Sequence, residues 1–205
     1  MTETVTNPIA AVKKQLKELA ARPFKATYKV PALWVETGCQ PEDGKAAVAV
    51  HPGEFYLKHI EAIEKHARND IDPLKSLNQQ LPGGDGGNWV NREAIYNIFV
   101  RLTAAYDHNG DGKLGGGKND LTLNADGMRE SGTFLKAIAM LGYIKALGCS
   151  TIHLLPVTAI GHDGNKGELG SPYAIRNPYK LEETQADPLL SLGVEDQFRA
   201  FIQAC

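Results

Sequence analysis

Hydrophobic positions in the first 70 residues recur with the period of amphipathic helices, interrupted by short stretches typical of strands. Asn7 and Pro8 predict a helix start, because an asparagine N-cap followed by proline suits the free N–H groups of a helix end. The apolar face of this helix then repeats every three or four residues, at Ile9, Val12, Leu16 and Leu19. Alternating apolar and polar residues over 24–30 predict a half-exposed strand, residues 46–50 predict a second strand, and residues 56–70 predict another amphipathic helix.

After a glycine-rich stretch at residues 81–94, the pattern changes to apolar strands that alternate with helices. Ile95 to Val100 is almost continuously apolar, which predicts a strand buried on both faces. A long glycine-rich loop leads into a helical pattern over residues 134–147, which Gly148 is expected to end. Thr151 to Pro156 predicts a second buried strand, followed by a long polar loop and a final helix.

This order of strand, long loop, helix and tight turn predicts parallel strands joined by right-handed crossovers. Two such units are compatible with the start of a closed barrel or of an open doubly wound sheet. We predict three regions: a small α+β N-terminal region over 1–80, a linker over 81–94, and two β/α units over 95–205. A complete (β/α)₈ barrel needs about 250 residues. The final helical pattern is still running at Cys205, so the sequence is expected to be the first part of a longer protein.

Composition and charge exclude several classes of partner. The chain is 42% hydrophobic and 22% charged with a formal net charge of −2, which disfavours binding to nucleic acid or an anionic membrane. No apolar run approaches the length of a membrane span, and the N-terminus lacks the features of a signal peptide, so a cytoplasmic location is expected. Its three cysteines, Cys39, Cys149 and Cys205, fit neither a disulfide framework nor a zinc site.

The segment Asp-His-Asn-Gly-Asp-Gly-Lys at residues 107–113 has the spacing of a calcium-binding loop. Oxygen ligands at alternate positions can wrap one cation when a glycine permits a sharp turn at the sixth position. The candidate ligands are the side chains of Asp107, Asn109 and Asp111, the carbonyl of Lys113, and Asp120 or Asn119. Lys118 occupies the position of the bidentate glutamate of an EF-hand, and a strand precedes the loop, so a different calcium site is predicted. A polar turn that binds no metal remains the alternative.

Other polar residues of the chain allow less specific interpretations. Gly112, Gly117 and Lys118 have P-loop spacing, but Asn119 replaces the required Ser or Thr, and this disfavours nucleotide binding. His153 fits a hydrogen-bonded core histidine better than the wall of an active site. The acids after Leu181 are expected to be solvated loop charges: Glu182, Glu183 and Asp187. Core packing is expected, ahead of sugar stacking, for the two tryptophans, Trp34 and Trp89.

From Ile95 to Cys205 the sequence resembles the α-amylase clan, glycoside hydrolase family 13. The segments that carry this resemblance are Ile95–Phe99 (first barrel strand), Asp107–Lys113 (calcium loop of oligo-1,6-glucosidase-like members), Leu141–Pro156 (first helix and second strand), Tyr173 with Tyr179, and the helix start at Gly193–Phe198. The sequence departs from the family pattern at Pro172, Ala174, Gly115 and Val194. These differences indicate an atypical subfamily and leave the substrate linkage open.

The resemblance implies the first strands and helices of a (β/α)₈ TIM barrel in a retaining glycoside hydrolase or transglycosylase. Such an enzyme acts on α-glucans such as starch, glycogen or maltodextrin. Tyr173 is then the aromatic that stacks on the sugar, and the loop from Asp107 to Lys113 holds a structural Ca²⁺. The family's catalytic carboxylates come from later strands, so no residue of this chain is assigned to catalysis, and the fragment is expected to be inactive without a remainder C-terminal to residue 205. The alternative is a non-catalytic, calcium-stabilised module that binds carbohydrate or protein.

Overall fold

In a computed structural model, the chain forms helices packed against small two-stranded sheets. The structure describes residues 5–35, 47–69, 93–117, 121–161, 163 and 169–205. In chain order the elements are α1 (Pro8–Ala20), β1 (Lys29–Val30), α2 (Ala32–Val35), β2 (Val48–Ala49), α3 (Pro52–Asn69), β3 (Ile95–Ile98), α4 (Phe134–Ala146), β4 (Thr151–Leu154), β5 (Thr158–Ile160), β6 (Ile175–Leu181), a 3₁₀ turn (Glu183–Gln185) and α5 (Val194–Ala204).

Local capping fixes the ends of the two best-defined helices. The Asn7 side chain accepts a hydrogen bond from the backbone N–H of Ala10 at 3.2 Å, which confirms the predicted start of α1. Thr133 caps α4 in the same way, by accepting from the N–H of Lys136 at 3.2 Å. Gly148 follows α4 with φ of +84°, a conformation that favours glycine, and the predicted end of this helix is confirmed.

Strands β3 and β4 lie side by side in parallel, with helix α4 between them in the chain. Their register runs from Ile95 opposite Thr151 to Ile98 opposite Leu154, and the Leu155 N–H extends the pairing by donating to the Ile98 carbonyl at 2.9 Å. The predicted parallel β–α–β arrangement is therefore confirmed. Each strand is four residues long, shorter than the apolar runs that predicted them.

The prediction that these strands are buried on both faces is wrong. Ile98 is fully buried in the core, whereas Ile95 is 58% exposed and both Asn97 and His153 are exposed. Alternate residues of a strand point to opposite faces. One face of this sheet packs against the helices, and the other is covered by nothing in the part of the chain that the structure describes.

Two antiparallel pairs flank this unit and differ from the sequence prediction. Only Lys29–Val30 and Val48–Ala49 of the two predicted N-terminal strands form a ladder, with Lys29 opposite Ala49. Residues predicted as a polar loop after β4 instead contribute β5 and β6, which pair with register shifts on both sides of Ala159. Most of β6 is exposed, so it lacks the apolar pattern that identifies a buried strand.

The N-terminal helices share one core with the later elements. Helix α1 packs against α3 and α5, and α3 packs against α4. Polar contacts join the same surfaces: the Gln15 side chain accepts from the Ser191 N–H at 2.8 Å, and Gln203 accepts from the Ile9 N–H at 2.9 Å. The outer faces of α4 and α5 are thus covered by the N-terminal helices.

The expected mixed α/β fold is confirmed at this coarse level. Its three sheets have two strands each among the described residues, and none of them closes on itself. A closed (β/α)₈ barrel therefore stays a prediction. No helix in the described ranges is long and apolar enough to cross a bilayer.

Two of the acids predicted as solvated loop charges are buried, which corrects that prediction. Glu182 is 6% exposed and accepts a hydrogen bond from the Ile160 N–H at 3.1 Å. Asp187 is 2% exposed and accepts from the Thr133 hydroxyl at 2.9 Å. These hydrogen bonds lower the free-energy cost of burial, because protein donors replace the water molecules that each carboxylate loses. Glu183 is exposed, as predicted.

Lys136 is a buried cation on α4, with 1% of its surface exposed. Its ammonium donates to the carbonyls of Arg129 and Ser131 at 2.7 and 2.9 Å. Burial lowers the pKa of Lys136 to about 8, although the nearby carboxylates Asp187 and Glu130 act to raise it. The folded chain therefore releases this proton more readily than the unfolded chain does.

We predict that replacing Lys136 with Met removes a rise in stability between pH 8 and pH 10. The unfolded chain keeps this lysine protonated to about pH 10.5, so within this window the unfolded state binds more protons and the contribution of Lys136 grows with pH. In denaturant titrations, the unfolding free energy of wild type minus that of Lys136→Met should increase by at most about 1.4 kcal/mol per pH unit. The exposed Lys14→Met is the control and should show no such trend. If the difference in unfolding free energy between wild type and Lys136→Met does not change with pH, the lowered pKa of Lys136 is contradicted.

Candidate metal centre

The loop after β3 curls around the carboxylate of Asp107. One oxygen of this side chain accepts the N–H groups of Gly110 at 2.6 Å and Asp111 at 3.1 Å, and the other accepts that of Gly112 at 2.8 Å. Gly110 and Gly112 have φ of +80° and +85°, a region that favours glycine. The glycines of the motif therefore allow the chain to wrap one carboxylate.

The side chains of Asn109 and Asp111 continue this turn. The amide oxygen of Asn109 accepts from the Asp111 N–H at 3.0 Å, and its NH₂ group donates to the Asp111 carboxylate at 3.3 Å. Asp111 in turn accepts from the Lys113 N–H at 2.9 Å. Three predicted ligands are therefore brought together by local geometry. The fourth, Lys113, lies exposed in the same turn, and Asp120 lies outside the described residues.

Glu130 supports the loop from the protein interior. It is fully buried, and its carboxylate accepts backbone N–H groups of His108 at 2.9 Å, Asn109 at 3.3 Å and Gly115 at 2.8 Å. The side-chain NH₂ of Asn124 adds a fourth donor at 2.9 Å. Three of these four donors bond to Oε1 and the Gly115 N–H bonds to Oε2, so Glu130 acts as an anchor for the loop.

His108 lies between the first two predicted ligands and points away from them into the core. Its ring stacks on Tyr28 with centroids 4.0 Å apart and planes at 14°. Nδ1 lies 2.7 Å from the Lys29 carbonyl oxygen, and Nε2 lies 3.2 Å from the Tyr28 hydroxyl. Burial lowers the pKa of His108 to about 3, so the ring is neutral at physiological pH.

The chemistry of the loop fits a hard divalent cation. Carboxylate, amide and backbone carbonyl oxygens are the ligands that Ca²⁺ takes, in flexible geometry and without nitrogen or sulfur donors. Within the described ranges no three His, Cys, Asp or Glu side chains form a metal-binding group. The loop offers two carboxylates, Asp107 and Asp111, and depends on the Asn109 amide and backbone carbonyls for further oxygens.

The connection between β5 and β6 places Tyr173 at the surface. Tyr173 is 66% exposed, and its N–H donates to the Ser171 hydroxyl at 3.2 Å. Arg101, which follows β3, donates from its guanidinium to the carbonyls of Leu169 and Gly170 at 2.7 and 2.5 Å. This contact ties the loop that bears Tyr173 to the segment that leads into the metal loop.

His153 is not a core histidine, so that interpretation of the sequence is wrong. It lies on the exposed face of the β3–β4 sheet, where Nδ1 is 3.1 Å from the side-chain oxygen of its register partner Asn97. Trp34 is half-buried and packs near Tyr106 with centroids 5.6 Å apart, as expected of a core aromatic. Trp89 lies outside the described residues.

The structure does not favour a P-loop. In such a motif a helix begins at the lysine, whereas here residues 121–132 are turns and extended chain and α4 begins at Phe134. Lys118 and Asn119 lie outside the described residues.

No protein-family model and no curated protein matches this sequence.

The residues that support the loop at 107–115 from the protein interior were not predicted from the sequence. Asn124, Asp126 and Gly127 form a turn in which the Asn124 side chain accepts the N–H groups of Asp126 and Met128 at 3.0 Å each, and the Asn-Ala-Asp-Gly sequence is a recognisable signal for it. Glu130 has no such signal, because burial of a single acid depends on donors that are distant in the chain. The stacking partner of His108 lies 80 residues away and is equally invisible in the sequence.

We predict that Glu130→Gln destabilises the fold by about 3 kcal/mol, because one acceptor oxygen becomes an NH₂ group that faces buried donors. Urea unfolding measured in the absence of divalent cations isolates this effect from metal binding. The exposed Asp126→Asn in the neighbouring turn is the control and should change stability by less than about 0.5 kcal/mol. Equal stability of Glu130→Gln and wild type would contradict the anchoring role of Glu130.

Proposed function

We propose that this chain forms the first two strand–helix units of an α-amylase-type (β/α)₈ barrel whose complete protein acts on α-glucans. The observation that carries the proposal is the parallel β3–α4–β4 unit, with the Asp-x-Asn-x-Asp-Gly loop placed directly after its first strand. In barrels of this kind the loops that follow strands bear the functional groups. The Asp107–Lys113 segment lies in the connection that follows β3, and Tyr173 lies between β5 and β6 in the connection that follows β4.

The open face of the β3–β4 sheet supports a barrel. Its residues Ile95, Asn97 and His153 are exposed on the face opposite the one that packs on the core. In a barrel that face turns inward and is covered by the remaining strands. We therefore propose that the remaining strands follow Cys205 in the complete protein and cover this face.

The proposed reaction is retaining transfer or hydrolysis of an α-glucosidic bond. It needs a nucleophilic carboxylate and an acid–base carboxylate about 5 Å apart. We place both on the later strands and assign no catalytic residue to the present chain. Its own contribution is Tyr173, whose exposed ring can stack on the apolar face of a sugar.

The metal loop has a structural part in this proposal. Asp107, Asn109, Asp111 and the carbonyl of Lys113 would hold Ca²⁺, with Asp120 as a further candidate. When bound, the ion supplies positive charge that neutralises the two carboxylates and locks the loop. The protein residues supply the oxygens, and Glu130 keeps the backbone of the loop in position.

One observation favours a second candidate function, a calcium-stabilised module that binds carbohydrate or protein without catalysis. The N-terminal helices extend the core, so the two β/α units do not have to fold alone. Buried residues from α1, α3, α4 and α5 form one continuous hydrophobic cluster. A core of this kind can stabilise an independent domain.

We predict that Ca²⁺ stabilises the wild-type chain against thermal unfolding. A cation that binds only the folded state adds about 2.7 kcal/mol at a hundredfold excess over Kd. Differential scanning calorimetry in EDTA and in CaCl₂ measures the shift in Tm. The double variant Asp107→Asn/Asp111→Asn should lose the shift, and Asp126→Asn should retain it. If Tm is the same with and without Ca²⁺ in wild type, the metal site is refuted.

The enzyme proposal is tested on the reading frame downstream of Cys205. We expect it to encode further strand–helix units with an aspartate, a glutamate and an aspartate at strand ends. The long product should then release sugars from maltodextrin, and Tyr173→Ala should lower kcat/KM by at least about tenfold through lost stacking. The present chain should show no such activity. A stop codon after Cys205, with a cooperatively folded chain that binds maltodextrin, would instead favour the binding module.

A further inference from the structure

The segment Tyr28–Lys29 holds the metal loop at one residue, His108. The Lys29 N–H donates to the His108 carbonyl at 2.8 Å, and the His108 ring returns a hydrogen bond to the Lys29 carbonyl at 2.7 Å. His108 is fully buried and stacks on Tyr28, which is 2% exposed. The residue between two proposed ligands is thus fixed by a segment about 80 positions earlier in the chain.

The direction of the hydrogen bonds follows from the groups involved. A carbonyl oxygen can only accept, so Nδ1 of His108 carries the proton and donates to Lys29. Nε2 is then an acceptor and receives the Tyr28 hydroxyl proton at 3.2 Å. The Tyr28 oxygen in turn accepts from the Tyr56 hydroxyl at 2.7 Å. This directed chain runs from helix α3 to the loop.

Every polar group of His108 is committed by these contacts. Its backbone N–H donates to Glu130 at 2.9 Å, its carbonyl accepts from Lys29, and both ring nitrogens are paired. Nothing is left over to bind a metal ion. The position of His108 nevertheless sets the direction in which the chain leaves toward Asp107 on one side and Asn109 on the other.

We propose that Tyr28, Lys29, Tyr56 and His108 form a brace that positions the cation loop, so that docking of the N-terminal region and divalent cation binding are thermodynamically linked. The inference rests on the cation site proposed above. Without the brace the loop also populates conformations in which its oxygen atoms do not converge on one point. The apparent affinity for the cation then falls in proportion to the fraction of molecules that remain in the binding-competent conformation. By reciprocity, a bound cation strengthens the docking of the Tyr28–Lys29 segment.

The side chain of Lys29 provides an internal control. Its ammonium lies close to Gly110 of the loop: a Cβ atom added to this glycine would lie 2.2 Å from the Lys29 Nζ. The brace uses only the backbone N–H and carbonyl of Lys29, so Lys29→Met leaves the brace intact and removes a positive charge near the proposed cation. Affinity for Ca²⁺ should then stay equal or rise, by up to about threefold for one screened charge.

The test is calorimetric titration of CaCl₂ into the full chain at pH 7. Tyr28→Phe keeps the stacked ring and loses the hydroxyl with its bonds to His108 and Tyr56. We expect Ca²⁺ binding to weaken by roughly three- to tenfold, the range of the one hydrogen bond that reaches the loop through His108. His108→Ala removes the ring stacking and both ring hydrogen bonds of the brace, keeps only the backbone bond from the Lys29 N–H, and should weaken Ca²⁺ binding by more than about tenfold. Gln15→Ala, which breaks a distant contact of the same N-terminal region with Ser191, should leave the affinity within about twofold.

Hydrogen exchange provides a readout of the reciprocal effect. Saturating Ca²⁺ should slow exchange of the Lys29 amide in wild type and leave it unchanged in Asp107→Asn/Asp111→Asn. The brace would be overturned if wild type binds Ca²⁺, Tyr28→Phe and His108→Ala bind it with the same affinity, and Ca²⁺ does not change exchange of the Lys29 amide. That result would leave the cation site itself intact. Absence of Ca²⁺ binding in wild type would overturn the cation site and this inference with it.

Discussion

A buried carboxylate that collects N–H donors determines how the loop between β3 and α4 is arranged. Among the described residues no side-chain cation contacts Glu130, yet it is fully buried, because three backbone N–H groups and the Asn124 amide replace its water. A buried carboxylate needs such donors to replace the hydrogen bonds that it made to water. The donors come from both ends of the loop, at His108 and Gly115. One side chain therefore closes the loop into a fixed ring whose outer edge carries the predicted metal ligands.

The other side of this ring is fixed by the N-terminal region. His108 leaves the loop and enters the core, where Tyr28 and Tyr56 extend the polar contacts toward α3. Lys136 adds a buried cation at the start of α4, beside Glu130 and Asp187. These groups form a polar layer between the N-terminal helices and the β–α–β unit. Polar contacts constrain geometry more narrowly than apolar packing does, since each donor must meet its acceptor within a limited range of distance and angle.

The two faces of the β3–β4 sheet differ in burial, and this difference bears most directly on function. One face contributes Ile98 to the core cluster that the helices share, and α1 and α3 pack against α5 and α4, respectively. The other face carries exposed Ile95, Asn97 and His153. The loop after β3 bears the candidate oxygen ligands, and the connection between β5 and β6 bears the exposed Tyr173. A sheet with one face in the core and the other uncovered by the described residues is compatible with both proposals, a part of a barrel and a self-contained module.

Elements and motifs whose causes are local could be predicted from the amino-acid sequence. The Asn-Pro start of α1, the glycine after α4, the parallel β–α–β order and the wrapping of residues 107–113 around Asp107 all depend on neighbours in the chain, and all are found in the structure. The tertiary structure alone decided which polar residues are buried. Glu130, Asp187 and Lys136 take their roles from donors and acceptors on distant segments, while His153 is exposed because one sheet face is uncovered. Hydrophobic periodicity records which side of an element is apolar, but burial of a charge depends on partners that only the folded chain brings within hydrogen-bonding distance.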